Sequence, residues 1–363
     1  MSLIEISNLS IIYKLGLQNI HAVQSLNLNI KKNELVAVVG ESGCGKSTLA
    51  LSIIGLLTTP PAQITSGEIT YKGTNLLNLD NNQFLNFRGT EIAMIFQQPM
   101  TSLNPSFKIG DQIGEAIDIK EQRSDSSVLP NKYETNQPDF KYSKNKFLLG
   151  NLLNLSNLKR VSTRKSYSEL YKKEIIDILK LVRIPDPSEI INRYPHELSG
   201  GMMQRVMIAM ALSQKPSLLI ADEPTTSLDV TTQAQILRLM KDLMNEIGTS
   251  ILLITHDLSI AAEIADRINV MYGGQLIEES TIYDLFSKPL HPYTQALLNC
   301  IPSGFKGEKI MQGIPGSVPL LHKIKNECQF ANRCPKVMPK CSESKPDYLS
   351  ISKNHKVGCF LYE

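Results

Sequence analysis

The stretch GESGCGKST, residues 40–48, matches the pattern G-x-x-x-x-G-K-[ST]. It follows the apolar run LVAVV (35–39) and precedes the run STLALSIIGLL (47–57), which predicts a buried strand, a tight turn and a helix. Glycines let the backbone of such a turn curl so that its N–H groups point at phosphate oxygens. The turn is therefore predicted to bind a nucleotide, with Lys46 on the β- and γ-phosphates and the Ser47 hydroxyl on Mg²⁺. The nucleotide-binding residues predicted in this stretch are Gly40, Ser42, Gly43, Cys44, Gly45, Lys46, Ser47 and Thr48.

Two carboxylates end a second apolar run, SLLIADE (217–223). Asp222 is suited to hold Mg²⁺ through its water shell. Glu223 is the next residue and points in a different direction, so it is predicted to polarise the water that attacks the nucleotide. Acidic residues often end strands, but the phosphate-binding loop earlier in the same chain favours a catalytic role for this pair.

The composition predicts a globular chain of 363 residues, large enough for a main domain and a smaller unit. The formal net charge is only +3, so nucleic acid is not predicted as a partner. No apolar run reaches the roughly eighteen residues of a spanning helix, and the start MSLIEISNLSIIYK is typical of a first strand and not of a signal peptide. We therefore expect a cytosolic protein, in which thiols stay reduced.

The order of apolar runs predicts an α/β fold. Three alternating runs near the start indicate a layer of antiparallel strands; they are LIEISNL (3–9), HAVQSLNLNI (21–30) and GEITYKG (67–73). Further along, SLLIADE and SILLITH (250–256) are continuously apolar and alternate with helical segments at about 200–214 and 231–246. This pattern is typical of buried parallel strands. We predict a P-loop NTPase fold with an antiparallel β layer and a helical subdomain at about 100–215.

Two segments depart from this pattern. Residues 121–168 are polar and rich in Asn, Ser and Lys, which predicts a solvated insertion in the helical subdomain, with a short amphipathic helix at 147–158. Residues 289–363 are rich in Pro and Lys and hold five of the six cysteines. We therefore divide the chain into a main domain, 1–288, and a C-terminal unit, 289–363.

The segment LSGGMMQRVMIAMAL, residues 198–212, is a second predicted anion site. Ser199 is placed to cap a helix whose first turn contains Gly200 and Gly201, so a hydroxyl, free N–H groups and the positive helix end face one spot. The segment resembles the signature motif of ABC transporter ATPases. In that family the motif faces the phosphate loop of a partner subunit across a bound ATP.

The other motifs of this family follow in the expected order. Gln97, in IFQQP, resembles the glutamine that senses Mg²⁺ and the transmembrane partner, and His256 resembles the switch histidine on the γ-phosphate. Residues 227–229 resemble the D-loop, which includes Asp229. Tyr13 precedes the loop at the point where the family stacks an aromatic ring on adenine. Met202 stands where the family usually has glutamine, which removes a side-chain amide and leaves the backbone donors intact.

Three segments narrow the resemblance to one branch. MIFQQPMTSLNP (94–105), YPHELSGGM (194–202) and HPYTQALL (291–298), with the cysteine-containing tail, are similar to the first of two ATPase paralogues in bacterial oligopeptide, dipeptide and nickel importers. The resemblance implies a subunit that hydrolyses ATP to energise import of peptides. A nickel or other small-solute importer is the alternative cargo class. A non-transport ABC ATPase acting on ribosomes or DNA is the alternative of a different class.

The resemblance also implies an assembly. The partners would be a second ATPase subunit, a paralogue that forms a heterodimer with this chain, two transmembrane permease subunits and an extracytoplasmic substrate-binding protein. The chain would then lie peripherally on the cytoplasmic face of the inner membrane.

Four cysteines of the C-terminal unit form a candidate metal site. Cys328, Cys334, Cys341 and Cys359 are separated by five, six and seventeen residues, which is not the spacing of a zinc ribbon or a ferredoxin. A reduced compartment and a short unit without its own core favour ligation over disulfides. The family resemblance implies a four-iron, four-sulfur cluster, and zinc, with His355 as a substitute ligand, is the alternative.

Overall fold

The computed structural model describes residues 2–97, 102–124, 166–226, 228–301, 313–317, 319 and 326–363. Most of the predicted insertion at 121–168, including the predicted helix at 147–158, lies outside the described residues. The described residues form the strands β1 Ser2–Leu15, β2 Gln18–Lys31, β3 Leu35–Val39, β4 Ala62–Tyr71, β5 Thr74–Asn75, β6 Ile92–Ile95, β7 Leu218–Asp222, β8 Ser250–Thr255, β9 Arg267–Tyr272, β10 Gln275–Thr281, β11 Tyr348–Ser352 and β12 His355–Gly358. Their α-helices are α1 Lys46–Ile53, α2 Asn81–Leu85, α3 Ile109–Ser124, α4 Tyr167–Leu170, α5 Lys172–Leu181, α6 Pro187–Ile190, α7 Gly200–Leu212, α8 Val230–Ile247, α9 Leu258–Ile264, α10 Ile282–Ser287, α11 Pro292–Asn299 and α12 Pro339–Glu343.

Two sheets organise these elements. The central sheet has the strand order β11-β12-β10-β9-β3-β8-β7-β6, in which neighbours from β9 to β6 run parallel. Strands β10, β12 and β11 continue it in antiparallel fashion. The second sheet is antiparallel, with the order β2-β1-β4-β5. The predicted α/β fold with an antiparallel layer is therefore confirmed.

The central sheet is covered on both faces, which is why its strands are continuously apolar. Along β3, Leu35, Ala37 and Val39 belong to one core and Val36 and Val38 to the other. Residues of α3, α5, α7 and α8 complete the first core. The second core lies between the two sheets and includes the inner face of α1. No helix within the described ranges is both long and apolar enough to span a membrane.

The C-terminal unit packs directly on the central sheet. Strand β12 pairs with β10, and the buried carboxylate of Glu278 on β10 lies 2.7 Å from Nε2 of His355 on β12. The same carboxylate accepts the N–H groups of Leu290 and His291 at 2.8 Å each. A buried carboxyl group with these hydrogen-bond partners is satisfied and ties β12 and the start of α11 to β10. The division of the chain near residue 288 stays a prediction.

The central parallel strands should dominate stability. Leu253, on β8, is fully buried in the first core, so Leu253→Ala is expected to lower the free energy of unfolding by about 2–5 kcal/mol. Urea denaturation followed by circular dichroism measures this loss. Leu17→Ala is the matched control, since Leu17 is fully exposed between β1 and β2 and should change stability by less than about 0.5 kcal/mol. Equal effects of the two substitutions would contradict the assignment of the core.

Candidate functional site

The loop at residues 40–48 is shaped by close backbone contacts. A Cβ at Gly45, whose φ is 105°, would lie 2.0 Å from the carbonyl oxygen of Ala22, and a Cβ at Gly40 would lie 2.1 Å from that of Met271. Only glycine fits such positions without moving the backbone. The Lys46 ammonium donates to the carbonyl oxygens of Gly40 at 2.7 Å and Glu41 at 3.0 Å, so the lysine closes the loop on itself.

The outer side of this loop is open. Ser42, Gly43 and Ser47 are exposed, and among the described residues no heavy atom lies within 4 Å of a Cβ built at Gly43. Helix α1 begins at Lys46 with no side-chain cap, so its first N–H groups are available to an anion. Cys44 points inward instead, and burial raises the pKa of its thiol, so this residue contributes its backbone to the loop.

Tyr13 lies beside the loop. It is half-buried on β1, and its hydroxyl is 3.3 Å from Oγ1 of Thr48. The contact brings an aromatic ring next to the start of α1. Its role in stacking on a base stays a prediction.

Asp222 ends β7 next to the loop and is buried. Burial raises the pKa of its carboxyl, and the neighbouring Glu223 adds to this, while a hydrogen bond with Ser47 and the charge of Lys46 act in the opposite direction. Its Oδ1 atom is buried and has no hydrogen-bond partner within the described part of the chain. An orphaned carboxylate oxygen beside an exposed hydroxyl fits a Mg²⁺ ion, which takes oxygen ligands and retains several waters.

Glu223 contacts the side chains of three other residues of the site. Its side chain accepts a hydrogen bond from Nε2 of Gln97 at 2.8 Å and one from the Thr226 hydroxyl at 3.0 Å, and it lies 3.0 Å from Nδ1 of His256. Burial acts to raise the pKa of the carboxyl, but the bonds with His256 and Thr226 and the charge of Lys46 outweigh it and hold the pKa below its ordinary value. Glu223 is therefore ionised at neutral pH.

The backbone at Glu223 is also unusual. Its φ is 47°, in the region that non-glycine residues rarely adopt, while its N–H donates to the carbonyl oxygen of Ile254 on the neighbouring strand β8 at 2.8 Å. A residue held in such a conformation is usually fixed by its surroundings at a functional position. From this position the Glu223 side chain reaches Nδ1 of His256.

The predicted second anion site forms a separate group at the start of α7. Ser199 caps this helix and accepts from the N–H of Met202 at 3.4 Å, while Gly200 is exposed. A Cβ at Gly201 would lie 2.7 Å from Cγ2 of Thr232, whose N–H in turn donates to Asp229 at 2.9 Å. Asp229 thus caps α8 beside the glycines of α7. Ser227 lies outside the described residues.

The structure therefore brings most predicted site residues into two groups. Gln97, His256 and the carboxylates that follow β7 meet at the carboxyl ends of the parallel strands, next to the loop at 40–48. Ser199 to Gly201 and Asp229 form the second group. Sequence reasoning missed Thr226, because nothing in the pattern distinguishes its hydroxyl from those of its neighbours. It also missed the ion pair between Glu41, the second residue of the loop, and Arg333.

The predicted iron–sulfur cluster is wrong. Within the described ranges, which include all six cysteines, no group of three or more His, Cys, Asp or Glu residues is placed to hold a metal ion. Burial raises the pKa of the Cys328 thiol to about 11 and also raises the pKa values of the Cys334 and Cys359 thiols. Cys328 and Cys341 instead pack with Ala331 and Phe360.

The zinc alternative fails for the same reason. His355, the proposed substitute ligand, is paired with Glu278 in the sheet. All six cysteines are free thiols; in the C-terminal unit Cys341 is buried, and Cys300, Cys328, Cys334 and Cys359 are half-buried.

Known proteins match the chain in two regions and over its whole length. Residues 23–226 match the family model described as ABC transporter, and residues 277–341 match the one described as Oligopeptide/dipeptide transporter, C-terminal region. The chain is 43% identical over 363 residues to the Oligopeptide transport ATP-binding protein AppD of Bacillus subtilis (strain 168), which covers 100% of this chain and 97% of the relative. It is 42% identical over 340 residues to the Probable peptide ABC transporter ATP-binding protein y4tR of Sinorhizobium fredii (strain NBRC 101917 / NGR234). This match covers 93% of this chain and 89% of the relative.

A solved structure agrees with these matches. "Dimeric Structure of MJ0796, a Bacterial ABC Transporter Cassette" is 28% identical to the chain, with a TM-score of 0.57, and covers 77% of this chain and 98% of that one. Fold and site together define a P-loop ATPase that binds and hydrolyses ATP. The chain belongs to the ABC transporter family, among its ATP-binding subunits.

Proposed function

We propose that this chain is the ATP-hydrolysing subunit that drives import of oligopeptides or dipeptides through a membrane permease. The observation that carries the proposal is the convergence of Lys46, Asp222 and Glu223 at one edge of the central sheet, with His256 and Gln97 bonded to Glu223. The match of residues 277–341 to the peptide-transporter C-terminal region supports the cargo class.

ATP is held, in this proposal, by the loop at residues 40–48. The first N–H groups of α1 and the backbone amides of the loop face the phosphates, and the Lys46 ammonium shifts from the carbonyl oxygens that it now contacts to phosphate oxygens. Tyr13, beside Thr48, is placed to contact the base. Ser47 and Asp222 would hold a Mg²⁺ ion, which would supply charge neutralisation at the phosphates.

Glu223 is the proposed base for the attacking water. Its lowered pKa keeps the carboxylate free to accept a proton, and His256 and Thr226 fix the direction of its oxygens. Lys46 and His256 then lie on the side of the site where negative charge grows on the transferred phosphoryl group. Gln97 contacts the same carboxylate, so its position is coupled to that of the base.

The group at Ser199 to Gly201 is proposed to bind the ATP of a second ATPase subunit. The N-terminus of α7 is exposed, and its glycines carry no side chain that would block a phosphate. The similar cassette MJ0796 is described as dimeric. We propose a heterodimer with a paralogous ATPase, which alternates between closed and open states as ATP binds and is hydrolysed.

A groove beside Gln97 is the proposed contact for the permease subunits. It has a volume of about 320 Å³ and includes apolar side chains of Leu56, Phe96, Leu103 and Met210. Phe96 is 39% exposed in this groove and directly precedes Gln97 in the chain. A displacement of Gln97 in the catalytic site would therefore also move an apolar side chain of the groove. We accordingly propose a peripheral position on the cytoplasmic face of the inner membrane, in a complex that also includes an extracytoplasmic substrate-binding protein.

Peptide cargo is tested in proteoliposomes that contain the full transporter. Oligopeptides with their binding protein are expected to stimulate ATP hydrolysis and to accumulate inside the vesicles only when ATP is present. Nickel is tested in parallel as the alternative cargo. Peptides are expected to give the stimulation because the relatives described above are named for peptides. Stimulation by nickel alone would replace the cargo assignment, and hydrolysis that ignores the permease altogether would favour a non-transport ATPase.

A further inference from the structure

An arginine of the C-terminal unit contacts the phosphate loop. Arg333 forms a two-pronged ion pair with Glu41, the second residue of the loop, with Nη1 and Nη2 at 2.7 and 3.1 Å from the two carboxylate oxygens. The two residues are 292 positions apart. A guanidinium that pairs with both carboxylate oxygens fixes orientation as well as charge.

Arg333 is itself held firmly. Its side chain is only 5% exposed, and it donates to the carbonyl oxygens of Pro315 at 2.9 Å and Ile314 at 3.1 Å and to the Tyr272 hydroxyl at 3.2 Å. These bonds use the guanidinium donors in several directions, so the arginine has little freedom to move. Glu41 is thus paired with a rigid group and not with a mobile surface side chain.

Glu41 is in turn bonded through its backbone. Its N–H donates to the Tyr293 hydroxyl at 3.0 Å, and its carbonyl oxygen accepts from Lys46 at 3.0 Å. Tyr272 and Tyr293 pack together with ring centroids 4.5 Å apart, and Phe330 of the C-terminal unit lies against both. Glu41, which accepts a hydrogen bond from Lys46, is therefore held by Arg333 and by Tyr293. Tyr293 is itself packed against Tyr272 and Phe330.

We propose that Arg333 is a positioning residue for the phosphate loop and that the C-terminal unit thereby sets the affinity of the site for ATP. The inference rests on the proposed role of residues 40–48. Glu41 places a negative charge in a loop that must receive a polyanion, and Arg333 neutralises it while fixing the carbonyl oxygen that orients Lys46. Without Arg333, an unpaired carboxylate would remain beside the phosphates.

Equilibrium binding of a fluorescent ATP analogue to the full chain tests this proposal. Arg333→Ala is expected to raise Kd for the nucleotide about tenfold, and Arg333→Lys to raise it less, because lysine keeps the charge and loses the two-pronged geometry. Adding Glu41→Gln to Arg333→Ala removes the unpaired carboxylate. The double variant is therefore expected to have a Kd for the nucleotide at least about threefold lower than that of Arg333→Ala.

Lys340→Ala is the matched control, since it breaks an exposed ion pair with Glu363 in the same unit. It should leave Kd unchanged, and a loss equal to that of Arg333→Ala would overturn the proposal. So would a Kd for Arg333→Ala within about twofold of the original chain, or additive losses in the double variant. If Arg333→Ala does not fold, Arg333→Lys with and without Glu41→Gln decides by the same criteria.

Failure of the proposed function has a different result. An original chain that binds no nucleotide, or Lys46→Ala binding as tightly as the original chain, would refute the phosphate-loop assignment. Normal behaviour of those two proteins with an unaffected Arg333→Ala variant would refute only the role of Arg333.

Discussion

Replacing Glu223 with glutamine is expected to leave ATP binding intact and to reduce steady-state ATP turnover by at least about a hundredfold. The carboxamide has nearly the size and shape of the carboxylate and can still bond with Thr226 and His256, but it cannot accept a proton at neutral pH. Because φ at this position is 47°, a residue with the same Cβ and chain length adds no new backbone strain. The lost function is therefore that of the base.

Phosphate release and binding of a fluorescent ATP analogue measure the two quantities on the same preparation. Glu263→Gln is the matched control, since Glu263 on α9 is exposed and pairs with Arg238 away from the site. That variant should hydrolyse ATP at the original rate. Turnover of Glu223→Gln within about threefold of the original rate would remove Glu223 from the role of base, because a general base contributes about a hundredfold or more.

Much of the fold was predictable because its central strands are buried on both faces. Burial on two sides demands continuous apolar runs, and such runs at β3, β7 and β8 are visible without a structure. The attachment of the C-terminal unit was not predictable. Strands β11 and β12 are short and largely polar, and β12 pairs with β10 through contacts such as that of His355 with Glu278, which are 77 positions apart.

The candidate site was likewise predictable only in part. The glycine pattern at 40–48 and the carboxylates that end β7 were found because each is a local arrangement with a local chemical purpose. Their positions follow from strand ends that meet at one edge of the sheet. The pair of Arg333 and Glu41 has no local signal, since an arginine can pair with any carboxylate that the fold brings near.

For the cysteines, the sequence predicted a site that the structure does not form. Their number in a short segment suggested metal ligation, but spacing does not report burial or the direction of the sulfurs. Within the described ranges no three His, Cys, Asp or Glu side chains are placed to hold a metal ion, and Cys328 and Cys341 pack with Ala331 and Phe360. Composition alone could not distinguish a packed thiol from a ligating thiolate.

Lys46→Ala is expected to weaken ATP binding by about a hundredfold, which corresponds to about 2.8 kcal/mol, and to abolish hydrolysis. Lys46 is 5% exposed and its ammonium is satisfied only by hydrogen bonds within the loop and by a contact with Cys44, at 3.8 Å, among the described residues. Alanine removes the charge that would meet the β- and γ-phosphates. It also leaves the carbonyl oxygens of Gly40 and Glu41 without the donor that closes the loop.

Lys32→Ala separates this effect from a general loss of positive charge. Lys32 is exposed in the turn between β2 and β3, so its removal changes the net charge equally without touching the loop. Titration with the fluorescent ATP analogue should give an unchanged Kd for Lys32→Ala. Thermal unfolding without nucleotide should show both variants folded, because neither lysine belongs to the two hydrophobic cores. Binding by Lys46→Ala within about threefold of the original chain would mean that the phosphates are held elsewhere, since a charge-assisted bond to phosphate contributes more than that.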